Sequence, residues 1–439
     1  MNNLTLNNKN VCVIGIWHLG SVYSACLADL GYQVIGVDSD NERINKLNQG
    51  IPPLFEPGLQ ELISSNITAR RLRYTTDFAH AVKGAGYVLI TFDTLVNDQD
   101  EIDISDIWCT AERLAGCLEN NAIILISSQV PVGTCEQIKS LIQKKNPVIN
   151  IDIAYSPENL RLGQAINCFK KPERIVVGAD NDVTLKAVSD LFSVVEAPVL
   201  TMNLRSAEMT KHALNAFLAT SISFGNEIAN LCDEVGADAV KVANALRSEG
   251  RIGNKIPLLP GLGFAGGTLA RDLKILNKIG KEKGVETLLI DSVYTVNQRQ
   301  NGVVVRKLVR IYGSINGLTI GILGLTYKPG TSTLRRSSAL EIIKDLVTRG
   351  AIVKAYDPKA DMNEVHEHIE FEFCNDVFAV ARDSDALVLI TEWPEFKELD
   401  YERLKTIMKA PVFIDTKNLL DNEKMSALGF SYFGIGRGK

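Results

Sequence analysis

The sequence predicts an α/β protein with two parallel-sheet domains joined by a long central helical segment. Three observations predict it. Short runs of β-branched and aliphatic residues alternate with helical periodicity through the first part of the chain. The same alternation returns after residue 318, and between the two lies a proline-free stretch with helical periodicity alone. Such alternation is the mark of Rossmann-like folds. At 439 residues the chain exceeds what one core organises, and we divide it into 1–200, 201–300 and 301–439.

The elements follow in order. Residues 11–15 are a short apolar run, 21–30 carry helical periodicity until Gly31 stops it, and 33–37 form a second strand ending on Asp38. This strand–helix–strand unit of about thirty residues is the usual opening of a dinucleotide-binding fold. Further buried strands are expected at 87–91, 122–127 and 151–155, each preceded by a helical pattern, so the sheet should be parallel. Helical periodicity then runs from about 203 to 246, a segment suited to joining domains or to a dimer interface. A glycine-rich stretch at 260–267 interrupts it, and helix resumes near Asp272. The opening pattern recurs with strands at 318–323 and 352–356, the second ending on Asp357, and a helix at 337–348 between them. Residues 386–391 and 412–415 complete the second α/β unit.

Composition excludes several classes. A formal net charge of -5 gives no basic face for nucleic acid. No apolar run reaches membrane-spanning length and the N-terminus lacks a secretory apolar region, which places the protein in the cytoplasm. Eight cysteines without a C-x-x-C pair read as reduced thiols, and five histidines without metal-ligand spacing argue against a catalytic metal.

The first turn reads Gly15-Ile16-Trp17-His18-Leu19-Gly20. A dinucleotide fingerprint has glycines at its first, third and sixth positions; here Trp17 holds the third. Backbone N–H groups of such a turn meet a pyrophosphate at the helix start. Asp38 would accept hydrogen bonds from a ribose and repel a 2′-phosphate, favouring NAD over NADP; it could instead cap the helix that begins in VDSDNER, which contains Arg43.

Read onward, the chain resembles the UDP-glucose/GDP-mannose dehydrogenase family. The resemblance is carried by ERINKLNQGIPPLFEPGL at 42–59, PVGT at 131–134, SPENLRLG at 156–163 and AEMTKHALNAF at 207–217. It continues in GRIGNK at 250–255, GFAGGTLARD at 263–272, GLTYKPGTSTLRRSS at 324–338, AYDP at 355–358, TEW at 391–393 and DTKNLL at 415–420. It implies an NAD-dependent enzyme of polysaccharide biosynthesis that acts on a nucleotide sugar and forms a homodimer through the central helix. The family oxidises a C6 alcohol twice, through an aldehyde and then a cysteine thioester.

On this resemblance Lys211 and Asn215, one helical turn apart, act on the sugar oxygen, Glu158 handles proton transfer, and Asp272 assists at the nucleophile position. The cofactor set is Gly15, Trp17, His18, Leu19, Gly20, Asp38, Arg43, Gln129 and Arg335; the substrate set is Arg251, Lys255, Phe264, Gly267, Lys328 and Lys417. Cations suit a diphosphate.

The chain departs from the family where the second oxidation is carried. Anchored on Asp272, Thr268 takes the place of the cysteine nucleophile. A hydroxyl is a far weaker acid than a thiol. Leu162 replaces a glutamate, Gln129 a threonine, Ser332 and Thr333 paired aspartates, and Lys417 an arginine; Thr91-Phe92-Asp93-Thr94 lacks a proline. The expectation is a single two-electron oxidation. A silent NAD and nucleotide-sugar binder, or a four-electron dehydrogenase with a displaced nucleophile, are the alternatives.

Overall fold

The computed structural model describes residues 9–94, 96–97, 102–265, 267–334, 336–365 and 369–438. The chain divides into two compact units, Met1–Ala213 and Leu214–Lys439.

Among the described residues the first unit holds an eight-stranded sheet in the order β3-β2-β1-β4-β5-β6-β7-β8. Its strands are β1 (Asn10–Ile14), β2 (Gln33–Val37), β3 (Leu72–Thr75), β4 (Tyr87–Ile90), β5 (Ile123–Ile126), β6 (Asp152–Tyr155), β7 (Ile175–Ala179) and β8 (Val199–Met202). Successive side chains of a strand point to opposite faces. Val11 and Val13 of β1 accordingly enter one core cluster, Cys12 and Ile14 the other, and the strand is apolar throughout because helices cover both faces.

The pairs are parallel except β6 with β7, which are antiparallel, so the wholly parallel expectation fails there. The connection between them stays at one end of the sheet, where Phe169 packs edge-on against Tyr23 at 5.0 Å, instead of crossing a face. Strands β3, β7 and β8 escaped the sequence reading; β3 and β8 are partly exposed and lack a continuous apolar run, whereas β7 is apolar and wholly buried.

The first helix, His18–Asp29, begins three residues before the expected start, since the turn closes at once with Ser21 N–H on the Trp17 carbonyl at 3.0 Å. The predicted central helical run breaks in two. Helix Leu204–Val235 ends at Gly236, whose φ is +74°, and helix Ala239–Ser248 restarts under Asp238, which accepts from Val240 N at 2.9 Å and Lys241 N at 3.2 Å. Helix Thr268–Lys283 starts four residues before the expected Asp272.

The second unit holds a parallel six-stranded sheet in the order β11-β10-β9-β12-β13-β14. Its strands are β9 (Thr319–Leu323), β10 (Ile352–Tyr356), β11 (Glu372–Phe373), β12 (Ala386–Leu389), β13 (Val412–Asp415) and β14 (Ser431–Gly434). Asp357, just past β10, stitches the ends of the strands together. Its Oδ2 accepts from Leu325 N at 2.7 Å, Thr326 N at 2.9 Å, Thr326 Oγ1 at 3.0 Å and Trp393 Nε1 at 3.0 Å. Its Oδ1 accepts from Lys359 N at 2.8 Å and Ala360 N at 2.9 Å.

Candidate functional site

The turn after β1 is built by exclusion of side chains. Gly15 has φ +88°, and a Cβ there would lie 2.7 Å from the Phe92 ring; a Cβ on Gly20 would lie 2.1 Å from the Gly15 carbonyl oxygen. Ile16 N–H is held by Asp38 Oδ2 at 2.8 Å, so the acid at the end of β2 fixes the turn. Asp38 also takes Arg43 Nη1 at 2.8 Å and Asp40 N at 3.1 Å. The capping role weighed for Asp38 falls to Asp40, which accepts from Arg43 N at 3.0 Å at the start of helix Asn41–Asn48.

Trp17 is 42 % exposed, and the Arg43 guanidinium sits 5.0 Å from its ring centroid. Gly15, Trp17, Asp38, Arg43, Asp93 and Cys109 are among the residues lining a cavity of about 590 Å³. A left-handed glycine turn, a helix start, a carboxylate and a cavity of this size suit a dinucleotide.

The other cofactor candidates divide. His18 Nε2 lies 3.1 Å from Glu56, a buried carboxylate that also accepts Gly163 N and Ala165 N at 2.8 Å each. Leu19 N–H points at Asp93 Oδ2, 3.4 Å away. Gln129 is buried beyond β5 and is not among the residues lining this cavity, while Arg335 lies outside the described residues. Partial desolvation pushes the Asp93 carboxyl above the usual carboxylate range, against the pull of His18 and of the Leu19 amide; Glu158 pushes the same way as desolvation.

The proposed chemical residues are held in pairs. Lys211 is nearly buried, and its Nζ donates to the Glu158 carbonyl oxygen at 2.7 Å and to Glu158 Oε1 at 3.1 Å. Glu158 Oε2 is oriented by Leu160 N at 2.8 Å. In the second unit Asn215 Nδ2 donates to Asp272 Oδ2 at 2.6 Å, with both residues buried. Thr268 is exposed as the first residue of helix Thr268–Lys283, one turn ahead of Asp272.

The substrate candidates are all in the second unit. Phe264 exchanges backbone hydrogen bonds with the Asn297 side chain, N to Oδ1 at 2.7 Å and O from Nδ2 at 3.1 Å, which fixes the loop leading to Gly267. Lys328 follows β9 and stands 5.4 Å from the Tyr327 ring centroid; Lys417 follows β13 and pairs with Glu392 at 3.0 Å. Both lie beyond carboxyl ends of strands, where open α/β sheets take ligands. Arg251 and Lys255 are exposed, and Arg251 pairs with Glu249 at 3.1 Å.

The sequence reading missed Phe92, Asp93 and Cys109 as cavity residues and Glu56 as a hub. Glu56 stood inside the EPGL block, and Phe92 and Asp93 showed only as a missing proline.

The NAD binding domain of the UDP-glucose/GDP-mannose dehydrogenase family matches residues 9–196, its central domain 205–299 and its UDP binding domain 321–422. The chain is 39% identical over 432 residues to UDP-glucose 6-dehydrogenase TuaD of Bacillus subtilis, covering 98% of this chain and 93% of that one. The chain belongs to the UDP-glucose/GDP-mannose dehydrogenase family. Its cofactor is NAD, and it is an oxidoreductase. Another relative in the family is the UDP-glucose 6-dehydrogenase of Rhizobium meliloti, 36% identical over 97% of this chain and 99% of that one. The fold matches a UDP-glucose dehydrogenase structure from Pyrobaculum islandicum with a TM-score of 0.87, 27% identity and 99% of each chain covered.

Among the described residues no group of three or more His, Cys, Asp or Glu could hold a metal ion. No described helix is long and apolar enough to cross a membrane.

Proposed function

We propose that this family member oxidises one CH–OH group of a nucleotide sugar, UDP-linked as in its relatives, by a single two-electron step. The observation that carries the reading is Thr268 on the first turn of helix Thr268–Lys283, at the position the resemblance gives to the cysteine, in a chain that keeps a Lys211–Glu158 pair in its first unit and an Asn215–Asp272 pair in its second.

NAD supplies the hydride acceptor. Two of the three Lys211 ammonium protons are directed at Glu158 oxygens, which leaves the third for the substrate oxygen. That contact stabilises the alkoxide as the hydroxyl proton departs, and the Glu158 carboxylate receives the proton, directly or through water. The carbon loses a hydride, the oxygen a proton, and a carbonyl product leaves. Asn215 is oriented by Asp272 and keeps amide capacity for a substrate oxygen. Without a thiol at residue 268 no thiohemiacetal forms, so the second oxidation has no covalent route.

Lys328 and Lys417 would hold the diphosphate, with Phe264 and Gly267 shaping the sugar side. The division into a cofactor domain (1–200), a helical connector (201–300) and a UDP-binding domain (301–439) belongs to this reading. Homodimerisation through the central helix is supported by Phe217, Phe224, Leu231 and Val235 of helix Leu204–Val235, which are exposed large hydrophobics at near-heptad spacing. Phe224→Glu should shift the molar mass in light scattering to that of a monomer.

The test of the chemistry is a count of NADH per molecule of UDP-sugar consumed, with mass analysis of the product. One NADH and a carbonyl product are expected. Two NADH and a carboxylic acid would refute the single-oxidation reading.

A further inference from the structure

We propose that Asp93 is a built-in competitor for the cofactor's pyrophosphate, its carboxylate resting on the backbone N–H groups at the start of the first helix that the dinucleotide needs. A helix start attracts anions because its first N–H groups lack helical partners and carry the positive end of the dipole. Here that position already has an anion. Asp93 Oδ2 lies 3.4 Å from Leu19 N, and the His18 backbone N–H also faces it.

The neighbouring residue fixes the placement. The Phe92 ring packs over Gly15, so the segment after β4 lies across the glycine turn and carries Asp93 to the helix start. Asp93 is an exposed residue on the wall of the 590 Å³ cavity with Gly15, Trp17, Asp38 and Arg43, its carboxyl partly desolvated against the helix start. The 3.4 Å contact is long and the residue exposed, so the carboxylate can swing out into the cavity. A bound pyrophosphate and a charged Asp93 would stand in like-charge contact on the same donors, so one must yield.

The charged groups facing Asp93 set the direction of the effect. His18 from the first helix attracts it, and His18 is itself held by Glu56; Glu158 repels it; Arg43, Asp38, Asp106 and Arg113 line the same cavity. Acidification neutralises Asp93, and that favours an incoming pyrophosphate.

The experiment measures NADH, ADP-ribose and adenosine affinities of the full-length protein by fluorescence titration and competition, at about pH 8 and about pH 5.5. Asp93→Asn should bind NADH and ADP-ribose roughly five- to tenfold more tightly than the wild type at the higher pH. Adenosine, which lacks the pyrophosphate, should bind both proteins equally. The wild type should bind NADH more tightly at the lower pH, and Asp93→Asn should lose that dependence. Asp93→Ser, which removes the charge by a different side chain, should repeat the result and stands in if the amide variant misfolds. Unchanged or weaker NADH binding in both variants would overturn the proposal, as would an equal gain for adenosine. Failure of the wild type to bind NADH at either pH would overturn the cofactor assignment itself and the proposal with it.

Discussion

Asn215→Asp converts the 2.6 Å amide-to-carboxylate contact with Asp272 into two carboxyl groups facing each other in a buried place. With their charges centred about 4–5 Å apart and an effective dielectric constant of about 20, repulsion between two ionised groups is about 3–4 kcal/mol. At about 1.36 kcal/mol per pH unit, the variant pair keeps one proton until about 2–3 units above the ordinary carboxylate range. A carboxyl that titrates higher folded than unfolded lends stability at low pH and loses it as pH rises through the folded value. The variant should therefore melt near the wild type at about pH 4 and fall progressively below it towards about pH 8. The extra loss of about 3–4 kcal/mol corresponds to a melting point lower by about 6–15 °C. Calorimetric melts of both proteins across that range provide the assay. A melting-point difference that stays constant with pH would refute the argument, because a merely structural loss has no reason to titrate.

Lys211→Met should lower kcat by about 10²–10⁴-fold while NADH affinity stays within about twofold, measured by steady-state rates and fluorescence titration. Thr268→Ala should keep the first oxidation within about tenfold of the wild type, since the hydroxyl forms no covalent intermediate; loss beyond about a hundredfold would contradict that. Asp38→Ala strands the Ile16 N–H and removes one of the two carboxylates that pair with Arg43, so NADH affinity should fall and the urea midpoint should report a loss of about 1–3 kcal/mol. Exposed Cys109 should react first with an aromatic disulfide reagent and be protected by NADH, because it lines the cavity; Cys26, whose thiol burial pushes up to about 12, should react only on unfolding.

Much of the architecture was legible because strands covered on both faces leave continuous apolar runs, as in Val11 to Ile14 and Ile123 to Ile126. Strand β8 alternates neither cleanly nor apolarly, being largely exposed, and gave no such signal. The antiparallel turn from β6 to β7 depends on where the Tyr23–Phe169 contact holds the connection, which is a tertiary fact. At the site, the glycine turn, Asp38 and the Lys211–Asn215 spacing were legible because local geometry demands those residue types at those positions. Glu56 and Asp93 were not: each earns its place through partners 38 to 109 and 74 residues away in sequence, respectively.

Asp38 and Asp357 occupy matching places, each just past the second strand of its sheet and each fastening the turn that follows the first. Gly15 and Gly324 answer one another too, with φ of +88° and +92°. The two acids differ in lone-pair occupancy. An ionised carboxylate offers about four acceptor sites. Asp357 serves six donors, all from its own unit. Asp38 serves three donors among the described residues, and one of those is the guanidinium of Arg43, which lines the cavity. The same turn thus exists once as a saturated knot and once with acceptor valence to spare. The first copy keeps room on its acid for one more hydroxyl donor, whereas the acid of the second has none left to offer.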